Sequence, residues 1–329
     1  MNALRQYERP FRRDFSHLGF AVAAAMFVWV LFTNLLAVFA GIFVPEIFSE
    51  WWTLLLFSDL PLYLLGLPAF ALICFTVGQY PIERKPLGFG KWWLMLVVML
   101  GTTFVGAQIS NVITSVLDEL LGSDTSDYIG KALSDFPVWG TFLFTVVLAP
   151  VVEELMFRQL LCSRLARYGD LTAIVFSAIA FGAFHGNFSQ FFYAAPVGAV
   201  LAYTFLRTGR IRYSMMLHAA SNFVTGVLPL AASRLIGGLS SDTEALTRAL
   251  FTDPKIMLGV SINLLVSLIF LGCTAATVVI LIVRRKHITF AAGEIGIPPN
   301  RVLPIELCNP GVITMTVVFA AMFLLSVFG

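Results

Sequence analysis

Pro150-Val151-Val152-Glu153-Glu154-Leu155-Met156-Phe157-Arg158 interrupts an apolar run from about Val138 to Leu161. Two adjacent carboxylates and an arginine do not belong there for stability. Each charge near a bilayer centre costs on the order of 2.5–3.5 kcal/mol on insertion scales, so three unpaired charges cost about 8–10 kcal/mol. Ionisable groups in such a setting mark function by default.

The setting is a membrane. Of 329 residues, 58% are hydrophobic and 12% charged, against about 45–50% apolar and about 25% charged in ordinary globular chains. Spanning helices need about 20 mainly apolar residues, and candidates lie near 18–44, 52–78, 92–117, 138–164, 171–187, 190–206, 213–232, 257–283 and 311–328. The fifth and sixth are short. The expectation is an all-α, polytopic transmembrane helix bundle of about eight or nine spans, with a kinked, motif-bearing central helix. The first span is too long for a signal-peptide core and reads as retained. The chain divides into N-terminal helices and loops (1–137), a motif-bearing core (138–232) and a C-terminal loop with further helices (233–329).

Charge alternates between loops. Arg5, Arg9, Arg12 and Arg13 precede the first span; Arg84, Lys85 and Lys91 follow the second; Arg164 and Arg167 the fourth; Arg207, Arg210 and Arg212 the sixth; Arg284, Arg285 and Lys286 the eighth. The intervening loops at 45–50 and 118–135 are acidic. The positive-inside rule then places the N-terminus in the cytoplasm. Residues 118–136 read as a short interfacial helix on the outer side. The prolines at 298, 299, 304 and 310 suggest an extended cytoplasmic linker over 287–310. Ser58-Asp59-Leu60-Pro61 reads as a helix N-cap followed by an early proline. The four cysteines form no Cys-x-x-Cys and read as buried small hydrophobes. No internal repeat and no nucleotide or nucleic-acid motif is present.

On a helix, Glu154 and Arg158 are four apart with the acid first, the favourable order for an ion pair. Glu153 lies about 100° around the helix and cannot share Arg158 equally well. Glu154 and Arg158 thus read as an orienting pair, and Glu153 as the carboxylate left free for general-base work. Pro150 offers no N–H to Val146 and should kink or loosen the helix one turn before the glutamates. The next span holds Phe181 and His185 on one face, with Gly182 and Gly186 as a small-x-x-x-small surface. The seventh holds His218 and Asn222, again four apart.

Glu-Glu-x-x-x-Arg, Phe-x-x-x-His and His-x-x-x-Asn on three helices in this order resemble the CAAX-processing and bacteriocin-processing (CPBP/ABI) family, which includes the type II CAAX prenyl endopeptidases. All seven motif positions match, over roughly 138–230. The resemblance implies an intramembrane endopeptidase of the glutamic type, open to the cytoplasmic face. It implies that Glu153 and His185 activate a water, that His218 and Asn222 stabilise the oxyanion, and that Glu154, Arg158 and Phe181 position the helices. It favours a metal-free site with no cofactor; zinc on Glu153, His185 and His218 is the alternative, although no His-Glu-x-x-His motif is present. The implied partners are a membrane peptide or lipidated-protein substrate and the bilayer of a prokaryotic plasma membrane. Two other readings fit the residues: a proton-coupled transporter, and a non-catalytic immunity or scaffold protein of the same fold. Counted from the cytoplasmic ends, Glu153, His185 and His218 sit about 11, 14 and 5 residues deep, a spread of roughly 13 Å. Helix tilt or extension must remove it.

Overall fold

A computed structural model describes residues 2–122, 136–241, 243–294 and 299–328. Eight helices among them are long and apolar enough to cross a membrane. They are α1 (Asn2–Phe43), α2 (Leu56–Cys74), α3 (Phe89–Leu121), α4 (Val138–Tyr168), α6 (Phe188–Thr208), α7 (Ile211–Leu239), α8 (Pro254–His287) and α9 (Pro310–Phe328). Between α4 and α6 lies α5 (Asp170–Ala183), only 14 residues long. At 1.5 Å per residue it covers about 21 Å of a hydrocarbon core about 30 Å thick. The all-α polytopic bundle is thus an integral multi-pass membrane protein with, among the described residues, eight helices long enough to span and one, α5, too short to do so.

Backbone groups in hydrocarbon have no water to bond, and this decides several local outcomes. Ser58 and Asp59 do not cap a helix: the helix runs through both, because a turn at that depth would strand its N–H and carbonyl groups. Leu62–Gly66 then widens into a π turn just past Pro61. Within α4, π turns occupy Phe142–Leu148 and Leu155–Cys162, on either side of the two glutamates. Such turns cluster at functional sites.

The basic segments meet at one end of the bundle. Arg164, from the end of α4, donates through Nε to the carbonyls of Cys74 (2.6 Å) and Val77 (2.9 Å), tying α4 to the end of α2. Tyr168 donates to Asp14 at 2.8 Å. The start of α5 and the end of α6 are tied by the Asp170–Arg207 ion pair, and the Ala291 N–H reaches Asp170 Oδ2 at 2.7 Å. The α5–α6 hairpin therefore begins and ends at the same face as Arg12, Lys85 and Arg285.

Gly182 brings that hairpin together: a Cβ there would meet the Ala195 Cβ at 2.8 Å. Gly186 has a different role from the one its spacing suggests. It lies beyond the helix, at φ +71°, in the left-handed region where glycine carries no Cβ penalty. Pro299–Leu307 is helical rather than extended. Its leading proline occupies the first turn, where a missing N–H is tolerated. Of the expected interfacial helix at 118–136, residues 118–121 belong to α3 and 123–135 lie outside the described residues. All four cysteines are free; Cys74 and Cys162 are buried, Cys273 half-buried and Cys308 exposed.

Candidate active site

The site is built on α4, α5 and α7. Glu154 and Arg158 are both completely buried, with Nε and Oε2 3.1 Å apart. This is a close ion pair, though the Nε–H is not aligned on the oxygen as a hydrogen bond. The guanidinium also reaches Ser177 Oγ on α5 at 3.4 Å, and that hydroxyl donates to the Phe157 carbonyl at 3.0 Å. The arginine thus joins α4 to α5 from inside the protein.

His218, on α7, faces both glutamates. Its Nδ1 is 3.2 Å from Glu154 Oε1 and its Nε2 3.8 Å from Glu153 Oε2. The two acids differ in access: the Glu154 side chain is sealed, whereas that of Glu153 is 22% exposed. The depth spread expected between α4 and α7 does not keep these groups apart: His218 lies beside both glutamates, and α4 continues as a helix beyond Arg164 to Tyr168.

Phe181 fills the centre. Arg158 stacks over its ring at 4.7 Å. The rings of His185 and His218 stand edge-on to it, with centroids at 5.3 and 5.6 Å. His185 occupies the turn after α5, its Nδ1 3.0 Å from the Phe181 carbonyl. A carbonyl only accepts, so Nδ1 carries a proton and the neutral ring has its lone pair on Nε2.

Asn222 is one turn beyond His218, and its Nδ2 donates to the Thr145 carbonyl on α4 at 2.7 Å. The cause lies in the π turn. Ala149 N–H bonds Phe144 O, five residues back. The next bond in that register would run from residue 150 to Thr145, and Pro150 has no N–H.

Glu153, Glu154, Arg158, Phe181 and His218 therefore form one contiguous cluster, with Asn222 one turn along α7. His185 joins it through Phe181 rather than by direct contact with Glu153. In the sequence, Asp59 reads as a helix cap and Tyr63 is not singled out. Asp59 and Tyr63, one helical turn apart on α2, both stand within electrostatic reach of Glu153. An acid within an apolar span was the available signal, and its resemblance to a cap concealed it.

A catalytic zinc needs three converging protein donors. Among the described residues, no three His, Cys, Asp or Glu side chains converge on a point that could hold a metal ion. Glu153 and His218 face each other, and His185, bonded to the Phe181 carbonyl through Nδ1, does not complete a third corner with them.

Residues 135–224 match the family model of type II CAAX prenyl endopeptidase Rce1-like proteins. The likeness read from the three motifs thus extends over the whole of α4 to the middle of α7, and the match is to a CAAX-type membrane protease. The chain is also 26% identical over 138 residues to UPF0177 protein YbdI of Lactococcus lactis subsp. lactis (strain IL1403), an alignment covering 39% of this chain and 74% of YbdI. No solved structure matches.

Proposed function

We propose that the protein is an intramembrane endopeptidase whose general base is Glu153. The observation that carries this reading is the contrast between the two adjacent acids. Glu154 is sealed against Arg158 and His218, while Glu153 faces His218 from a partly open position. Glu153 accepts a proton from water, aided by His185 Nε2, and the oxygen attacks the peptide carbonyl. His218 Nε2–H and the second Nδ2–H of Asn222 donate to the oxyanion. The intermediate collapses with C–N cleavage, and the proton held by Glu153 passes to the leaving amine.

The Rce1-like match supports peptide-bond hydrolysis and a membrane peptide or lipidated protein as substrate. The failure of three ligands to converge supports a metal-free site. The gathering of basic segments at one end, read with the positive-inside rule, supports a cytoplasmic N-terminus and cleavage in the cytoplasmic half of the bilayer. The likeness to a Lactococcus protein supports a prokaryotic plasma membrane.

The test compares membrane proteomes of cells carrying the wild type and Glu153→Gln. Uncleaved precursors should accumulate in the variant, and the purified wild type alone should cleave them. Equal proteomes together with measurable proton-coupled solute flux would replace the protease by a transporter.

A further inference from the structure

His185 has an unusual support. It lies in the four-residue turn between α5 and α6, held locally by three hydrogen bonds: its Nδ1 to Phe181 O at 3.0 Å, its own N–H to Gly182 O at 3.3 Å, and Asn187 Nδ2 to its carbonyl at 2.9 Å. The rest of the support comes from the two ends of the chain. Trp29 of α1 stacks flat on Phe184, with centroids 5.4 Å apart and planes at 9°, and its indole N–H is fixed by the Ser58 carbonyl at 2.6 Å. The Cε atoms of Met26 (α1) and Met322 (α9) both approach to 3.3 Å of where a Gly186 Cβ would stand. Phe323 of α9 packs edge-on against Phe188 at 4.6 Å and Phe191 at 5.6 Å.

The two end helices are themselves locked together. Arg301 grips Glu8 through two hydrogen bonds, Nε to Oε1 at 2.6 Å and Nη2 to Oε2 at 2.8 Å, the strong bidentate arrangement. Arg12 donates to the carbonyls of Pro304 and Cys308. Gly311 N–H donates to Ser16 Oγ at 2.9 Å, and a Cβ on Gly19 would lie 2.5 Å from the Gly311 backbone. The helices therefore cross at backbone contact, near the end where the basic segments gather, and α9 runs from there up to the His185 turn.

We propose that Phe323 and Met322 of α9 are positioning residues for His185. The last helix, which lies outside the matched segment 135–224, clamps the α5–α6 turn so that the imidazole keeps its place beside Phe181. This rests on the protease reading for its kinetic consequence, although the clamp itself does not. A displacement near 1 Å of a reacting group can cost about 100-fold in rate, so loosening one contact of several should cost about tenfold.

The test uses the full-length protein in detergent or proteoliposomes. It compares wild type, Phe323→Ala, Phe323→Leu and Met322→Ala. Carbethoxylation of His185 and His218 by diethyl pyrocarbonate is followed site by site with mass spectrometry, beside kcat and KM on an identified substrate. In Phe323→Ala, His185 should be modified severalfold faster with His218 unchanged. The kcat should fall about tenfold with KM unaltered, and Phe323→Leu should restore both. Equal acceleration at both histidines marks general loosening and overturns the proposal, as does an unchanged His185 rate. If Phe323→Ala does not fold, Met322→Ala decides by the same readout. If even the wild type cleaves nothing, the protease reading fails and the histidine rates alone decide the clamp.

Discussion

Asn222 Nδ2 donates to the Thr145 carbonyl at 2.7 Å, across the gap that Pro150 leaves in the α4 hydrogen-bond ladder. A side chain 77 residues away in sequence thus replaces a backbone N–H. The bond also fixes the Asn222 amide, with its nitrogen towards α4 and one N–H still available.

The pairing predicts an energetic coupling. Asn222→Ala leaves the Thr145 carbonyl without a donor in an apolar setting, which costs about 1–3 kcal/mol. In a Pro150→Ala background the new N–H can take that carbonyl, so the same substitution should cost clearly less. Unfolding in mixed micelles of the two single variants and the double variant measures the difference. Additive effects would show that the proline does not create the vacancy Asn222 fills.

Arg158 and Glu154 should behave as a unit. Removing the arginine alone strands a carboxylate at zero exposure, a change worth about 3–5 kcal/mol for a buried pair. Arg158→Met should therefore yield little folded protein. Arg158→Met with Glu154→Gln should recover much of the yield, since neither charge then needs a partner. That double variant also replaces the anionic acceptor at His218 Nδ1 with a neutral amide, so recovered folding should not bring recovered cleavage. Size-exclusion profiles and circular dichroism report the first outcome, and precursor cleavage the second.

The helical arithmetic of α4 made much of this site readable. The four-residue spacing of Glu154 and Arg158 predicts their pairing, and the off-face position of Glu153 predicts its different exposure. What was not readable depends on register and on the solvent. The Asn222–Thr145 bond exists because α4 widens to a π turn, and apolar residues such as Phe142–Leu148 carry no mark of that change. Asp59 looked like a cap because Ser-Asp-x-Pro begins helices in water, yet in hydrocarbon the helix has every reason to continue. Gly186 looked like a packing glycine from its spacing to Gly182, and its positive φ emerges only once α5 is seen to end at Ala183. The bracing of His185 by α9 joins residues more than a hundred positions apart, beyond any periodicity.

Glu306 offers a pH test outside the spans. Burial against Thr172 holds its carboxyl above the ordinary glutamate range, while the Thr172 hydroxyl, donating at 2.9 Å, pulls the other way. An acid whose folded-state value is raised binds more protons folded than unfolded, so stability falls as pH rises through that window. Glu306→Gln keeps an acceptor for Thr172 and removes the charge. Its melting temperature should exceed that of the wild type at pH 8, and the gain should shrink towards pH 4. A gain that does not vary with pH would place its origin elsewhere.

The position of His185 decides the last prediction. Its Nδ1 bonds the Phe181 carbonyl and leaves Nε2 open, but among the described residues no third donor converges with Glu153 and His218, where catalytic zinc sites use three protein ligands. Cleavage by the purified protein should therefore survive prolonged dialysis against a strong chelator, and added zinc should not raise it. Glu153→Asp should retain a small fraction of the rate, because the shorter carboxylate still accepts a proton, whereas Glu153→Gln should retain none. Activity lost on chelation and restored by zinc would mean that His185 Nε2 joins Glu153 and His218 in a metal site, and the metal-free assignment would then be wrong.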